Sequence, residues 1–138
     1  MERIPTPPVY APGARRVAEL PFFGTVAAAG WLTIVTARIP YPFRITKVKM
    51  FFTQDAYDRI FHSWHVGPST ATPPGGPSTD PNIFARESPV SRFIGHAIIR
   101  VVDCDLQFAG GENYIKISTE NTGPYAYEIN AACVIEAM

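Results

Sequence analysis

The last third of the chain alternates with a period of two. Ile98, Val102, Cys104, Leu106 and Phe108 fall on one side of that period, and Asp103, Asp105 and Gln107 on the other. Ile115 and Ile117 alternate with Lys116 and Ser118, and Tyr127, Ile129, Ala131, Cys133 and Ile135 alternate with Glu128, Asn130 and Glu136. Successive side chains of a strand point to opposite faces, so the pattern predicts three strands of a sheet that is dry on one face and wet on the other. In this phase Lys116 and Glu128 point to water. Gly- and Asn-containing stretches at 109–113 and 120–124 supply the turns. A dry face needs a covering layer, and the rest of the chain has to provide it. The fold class that follows is all-β, an antiparallel β-sandwich.

The upstream sequence reads the same way. Residues 31–37 are rich in β-branched side chains and form a strand. Ile39-Pro40-Tyr41-Pro42-Phe43 is a turn region, because neither proline can donate to a ladder. Residues 44–53 form the next strand, with Val48, Met50 and Phe52 inward and Lys47 and Lys49 outward. Residues 54–59 make a short helical turn or a hairpin tip, and 60–66 return as a strand carrying Phe61, His62, Trp64 and His65. The count is six or seven strands, with no convincing helix and no internal repeat.

At 138 residues the chain fits one domain with a sizeable core. Its 14 prolines, about twice ordinary usage, keep much of it extended. Residues 1–14, with Pro5, Pro7, Pro8 and Pro12, read as an extended N-terminal arm of polyproline character. Residues 15–138 are the β-sandwich domain, and 67–92 form a long Pro/Gly/Ser-rich loop inside it. Both segments lack periodic apolar residues, yet they carry anchors: Ile4, Val9 and Tyr10 in the arm, Ile83 and Phe84 in the loop. These five are the candidate subunit contacts, because ordering such segments costs about 1–2 kcal/mol per residue and a partner surface would supply it.

Twelve basic and 12 acidic residues leave no net charge. A nucleic-acid partner would call for a basic excess, and a low net charge suits a chain whose normal state is an assembly. Arg15-Arg16 ahead of an apolar run has the outline of a twin-arginine export signal. Glu19 and Pro21 interrupt the approach, glycines and threonines dilute the run, and it is too short to span a bilayer. The expectation is therefore a protein made in the cytoplasm, with no signal peptide and no membrane partner.

No constellation carries obvious chemistry. On a strand His62 and His65 lie on opposite faces and cannot share a metal. Asp103 and Asp105 share a face, as calcium binding or paired-carboxylate catalysis would need, but solvated strand-face acids are far commoner. Nucleophile-elbow, zinc-protease and phosphate-loop motifs do not occur. The expectation is a non-enzyme without cofactor or metal. Cys104 and Cys133 both fall on dry faces; they read as buried thiols, and a bridge between them would need their strands to face each other across the core. Trp31, Trp64 and Tyr41, with Tyr57 and Tyr125, are either core and rim packing or an exposed platform for sugar rings.

Two stretches carry a resemblance. Residues 30–52 run as a strand, then Ile-Pro-Tyr-Pro-Phe, then Arg-Ile-Thr-Lys-Val-Lys-Met-Phe-Phe; residues 113–123 are followed by one last strand. This pattern resembles the opening and closing of a jelly roll, as in the decoration (cement) proteins and related capsid or tail β-sandwiches of tailed phages. The resemblance implies a non-enzymatic virion protein, a homotrimer seated on a major capsid protein lattice, with its arm reaching a neighbour. Carbohydrate-binding and receptor-binding β-sandwich modules share the architecture and are the alternative, with Trp31, Trp64 and Tyr41 as their ligand platform.

Overall fold

The chain is one long hairpin rolled up on itself. β1 (Val17–Val26) pairs with β8 (Tyr127–Ala137), β2 (Trp31–Val35) with β7 (Tyr114–Asn121), β3 (Phe43–Phe51) with β6 (Ile99–Phe108), and β4 (Ile60–Gly67) with β5 (Phe93–Ile94), every pair antiparallel. Rolling the hairpin sets β8 beside β3 and β7 beside β4. The result is two four-stranded sheets in the orders β1-β8-β3-β6 and β2-β7-β4-β5, the arrangement of a jelly roll. The structure, a computed structural model, describes residues 4–8, 16–84, 92–94, 98–109 and 113–138. Among them the only helical element is a 3-10 turn at Gln54–Ala56.

The inward faces meet as the alternation requires. Ile45, Val48 and Met50 of β3, Ile117 of β7, and Ile129 and Ile135 of β8 are buried between the sheets. Each such side chain contributes about 1.5–3 kcal/mol by leaving water. Trp64 lies in the centre, edge-on to Phe22 with ring centroids 5.2 Å apart. The outer face of the first sheet is wet. There Lys49 pairs with Glu19 at 2.7 Å, Lys47 with Asp103 at 3.6 Å, and Arg44 with Asp105 and Glu136, both at 3.6 Å. These exposed pairs are worth little individually. Asp103 and Asp105 are thus solvated strand-face acids.

Two features differ from the sequence reading. β1 is a strand of its own through Glu19 and Pro21, which the sequence presents as interruptions. It lies at the edge of its sheet, the position where a missing N–H is tolerated. The described part of the arm, residues 4–8, lies on its own domain: Pro5 and Pro7 are buried, and Ala37 N donates to Pro5 O at 2.8 Å. Ile4 is exposed; Val9 and Tyr10 lie outside the described residues. The two cysteines are free. They stand on β6 and β8, either side of β3 in one sheet, so no core separates them for a bridge to cross. Burial raises the pKa of both thiols.

His62 points into the core. Its Nδ1 lies 2.7 Å from Thr119 Oγ1, and its ring centroid 5.2 Å from that of Phe52. Burial pushes its pKa down to about 3, from an ordinary value of 6.5. The native imidazole therefore stays neutral in mild acid while the unfolded chain takes up a proton. The stabilisation is complete above the unfolded value and is lost as pH falls toward 3, at about 1.4 kcal/mol per unit. Urea unfolding should show the wild type losing about 2 kcal/mol more than His62→Gln between pH 7 and pH 5. Equal losses would mean that His62 is protonated in the native state.

Candidate functional site

The second sheet has an outer face of unusual composition. Register places Thr33 of β2 and Ser63 of β4 opposite Ser118 of β7, Trp31 and Phe61 opposite Glu120, and Val35 and His65 opposite Lys116. Alternation alone would leave this row in water. Instead Lys116 and Ser118 are 0% exposed, and Ser63 and His65 3%. The phase read from the sequence is right, but the solvent is missing. The described part of the long loop, through Phe84, folds back across the sheet and covers it.

Lys116 is the clamp. Its ammonium donates to the Asp80 carboxylate, to Gly67 O at 3.2 Å and to Ser69 O at 2.8 Å, so all three N–H bonds go to the loop and its entry. Ser69 N donates to the same Asp80 oxygen at 3.0 Å. Burial lowers the Lys116 pKa, and Asp80 opposes that shift. Ser78 N donates to Ser118 Oγ at 2.9 Å, and Ser118 Oγ lies 2.8 Å from Thr33 Oγ1. Ile83 N donates to Trp64 O at 2.9 Å. Gly67 is glycine for a spatial reason: a Cβ there would stand 2.4 Å from Asp80 Cγ.

Ser63 Oγ lies 2.8 Å from His65 Nε2, and His65 Nδ1 lies 2.9 Å from Asp80 O. A carbonyl accepts, so Nδ1 carries the proton and Nε2 accepts from the serine. That is the bond order of an activated serine. Both side chains are only 3% exposed, however, and they line the bottom of the cleft between the loop and the strands. The chain is therefore a polar floor that holds the loop down.

Above this floor, between the loop and the strands, opens a cleft of about 300 Å³ lined by Ser63 and His65 and walled by Trp31, Pro77, Asn82, Arg92 and Glu120. A second cleft of about 230 Å³ lies on Trp31, Leu32, Thr33 and residues 72–74 of the loop. Trp31 lines both. Arg92 Nη1 donates to Glu120 Oε1 at 2.5 Å, and its guanidinium sits 4.6 Å over the Phe61 ring.

The platform expected from Trp31, Trp64 and Tyr41 is not assembled. Trp64 is fully buried in the core, because β4 turns that face inward, and Tyr41 packs half-buried against the core. Ile83 and Phe84 have contacts within their own domain. Both pack half-buried against this domain's own core, Phe84 edge-on to Phe93 at 5.2 Å. Sequence reasoning missed Lys116, Asp80, Arg92 and Glu120. One signal was present: Asp80 is the sole charged residue between Gly67 and Phe84, as a buried counter-ion would be. Among the described residues no cluster of His, Cys, Asp or Glu could hold a metal, and no helix is long and apolar enough to cross a membrane.

A second surface lies on the other sheet. β6 is an edge strand, and among the described residues nothing pairs with its outer side. Ile98, Ile99 and Val101 are 67%, 52% and 47% exposed.

Breaking the clamp should free the loop. Lys116→Met leaves Asp80 charged beneath the loop, which typically costs about 3–5 kcal/mol. The expected outcome is a loss of that size in urea unfolding, with new protease cleavage between residues 67 and 84. Stability within about 0.5 kcal/mol of wild type, as for an ordinary surface substitution, would show that the ammonium is not buried.

No protein-family model matches the chain, and no curated protein matches it significantly. Among solved structures, it is similar to a periplasmic inhibitor of g-type lysozyme from Aeromonas hydrophila, with 10% identity, 99% of this chain and 98% of that one covered, and a TM-score of 0.38. It is also similar to the Yersinia pseudotuberculosis-derived mitogen, with 10% identity, 91% and 88% covered, and a TM-score of 0.41. At this distance neither likeness carries a function to this chain.

Proposed function

We propose that the chain is a non-enzymatic structural subunit of a protein assembly, a virion decoration or capsid-associated protein, and that it contacts its neighbour through the edge of β6 that no described strand pairs with. The observation behind this reading is the state of that edge. A long open edge offers a row of unpaired N–H and C=O groups, and natural proteins blunt such edges with charges, bulges or a covering element. The C-terminal half of β6 follows the rule with Asp103 and Asp105. The N-terminal half does the opposite, presenting Ile99 and Val101 next to Ile98. Clustered exposed aliphatics on a folded protein mark a contact surface. The jelly roll recurs in capsid domains, which agrees with the reading at the level of fold alone. The most economical neighbour is another copy, in a homotrimer on a capsid protein lattice.

Light scattering after size-exclusion chromatography tests the proposal. Wild-type protein should form a discrete oligomer, and the double variant Ile99→Lys, Val101→Lys should be a monomer with an unchanged circular dichroism spectrum. A wild type that stays monomeric up to its solubility limit, or a double variant that assembles equally well, would contradict it.

A further inference from the structure

We infer that the two clefts flanking Trp31 form a binding site for a neutral hydroxylated ring, a pyranose sugar, on the face of the molecule formed by β2, β7 and β4. The size sets one limit. Ligand pockets run from about 300 to 1,000 Å³, and the larger cleft, at about 300 Å³, holds one ring. The charges set another. Arg92 is paired with Glu120, and Lys116 is paired with Asp80 beneath the floor, so these groups offer no net charge to a cationic or anionic ligand. Capacity for hydrogen bonds remains. A guanidinium has five N–H groups and a carboxylate two oxygens, and their mutual bond at 2.5 Å uses one nitrogen and one oxygen. A hydroxyl both donates and accepts, so it can bond to either partner without breaking the pair. The half-exposed indole of Trp31 supplies the remaining element, an apolar wall for the C–H face of a ring. Burial on one face and hydroxyl recognition on the other suit a sugar better than a wholly apolar ligand or an ion.

The site is also held ready. Arg92 is stacked on Phe61, and the loop that forms one wall is clamped through Lys116 and Asp80. A wall fixed before binding adds little ordering cost. The second cleft, sharing Trp31, extends the surface for a second ring.

Saturation-transfer difference NMR on the full chain, with the methyl pyranosides of glucose, galactose, mannose and N-acetylglucosamine as probes, tests the inference. Transfer to the ring protons of at least one probe is expected. It should fall at least tenfold in Trp31→Ala and persist in Trp31→Phe, which keeps an aromatic wall, while both variants retain wild-type unfolding curves. A titration of the responding sugar should also shift wild-type tryptophan emission and leave that of Trp31→Phe, whose remaining indole is the core Trp64, unchanged. No transfer to any of the four probes, or equal transfer in Trp31→Ala, overturns the inference. Neither outcome bears on the β6 edge, which lies on the other sheet.

Discussion

A lysine with no exposed surface decides what kind of jelly roll this is. Lys116 sits in the middle of a sheet face that would otherwise be open to water, and its ammonium is held by the Asp80 carboxylate and two carbonyls. Burying an ammonium alone costs several kcal/mol, so the covering loop and the counter-ion have to arrive together. Once they do, the loop is positioned at Ser69, Ser78 and Asp80, and the polar row of Thr33, Ser63, His65 and Ser118 lies under it. Such a pair is not the cheapest way to stabilise a protein, because a well-packed apolar pair often does better. What it supplies here is a unique position for a segment whose prolines, glycines and serines carry little packing information of their own.

The two sheets consequently do different work. The first is an ordinary half-wet sheet, mostly charged outside and apolar inside, and its β6 edge carries the proposed subunit contact. The second is covered, and the gap between cover and strands makes the clefts around Trp31. The two surfaces are supported by separate observations. A subunit that both assembles and displays a small binding site would use opposite faces of one sandwich for the two tasks.

The sandwich was legible because the alternation is a direct image of the fold. Val48, Met50, Ile117, Ile129 and Ile135 are inward in sequence pattern and in structure alike. The same logic misplaces Lys116, a polar residue in the outward phase that alternation alone leaves in water. Period-two patterning reports which face a residue is on and says nothing of what lies over that face. It also leaves β1 unread, because the segment reads only as an export-signal-like run, and a proline in a strand is tolerated at an edge. The clefts were not legible, because they join residues from β2, β4, β7 and the loop that are up to 89 positions apart, Trp31 to Glu120. Of the aromatics considered for a ligand surface, Trp31 lines the clefts and Trp64 is core, a division that depends on strand phase and not on residue type.

The central claim, that the Lys116–Asp80 pair fastens the loop to the sheet, is tested most directly by a double-mutant cycle. Lys116→Met, Asp80→Asn and the double variant would be compared with wild type by urea unfolding. Each single substitution should be severe, and the double variant should cost less than the sum of the two by more than about 2 kcal/mol, because coupled contacting groups are strongly non-additive. Costs that add within about 0.5 kcal/mol, the behaviour of independent sites, would contradict it.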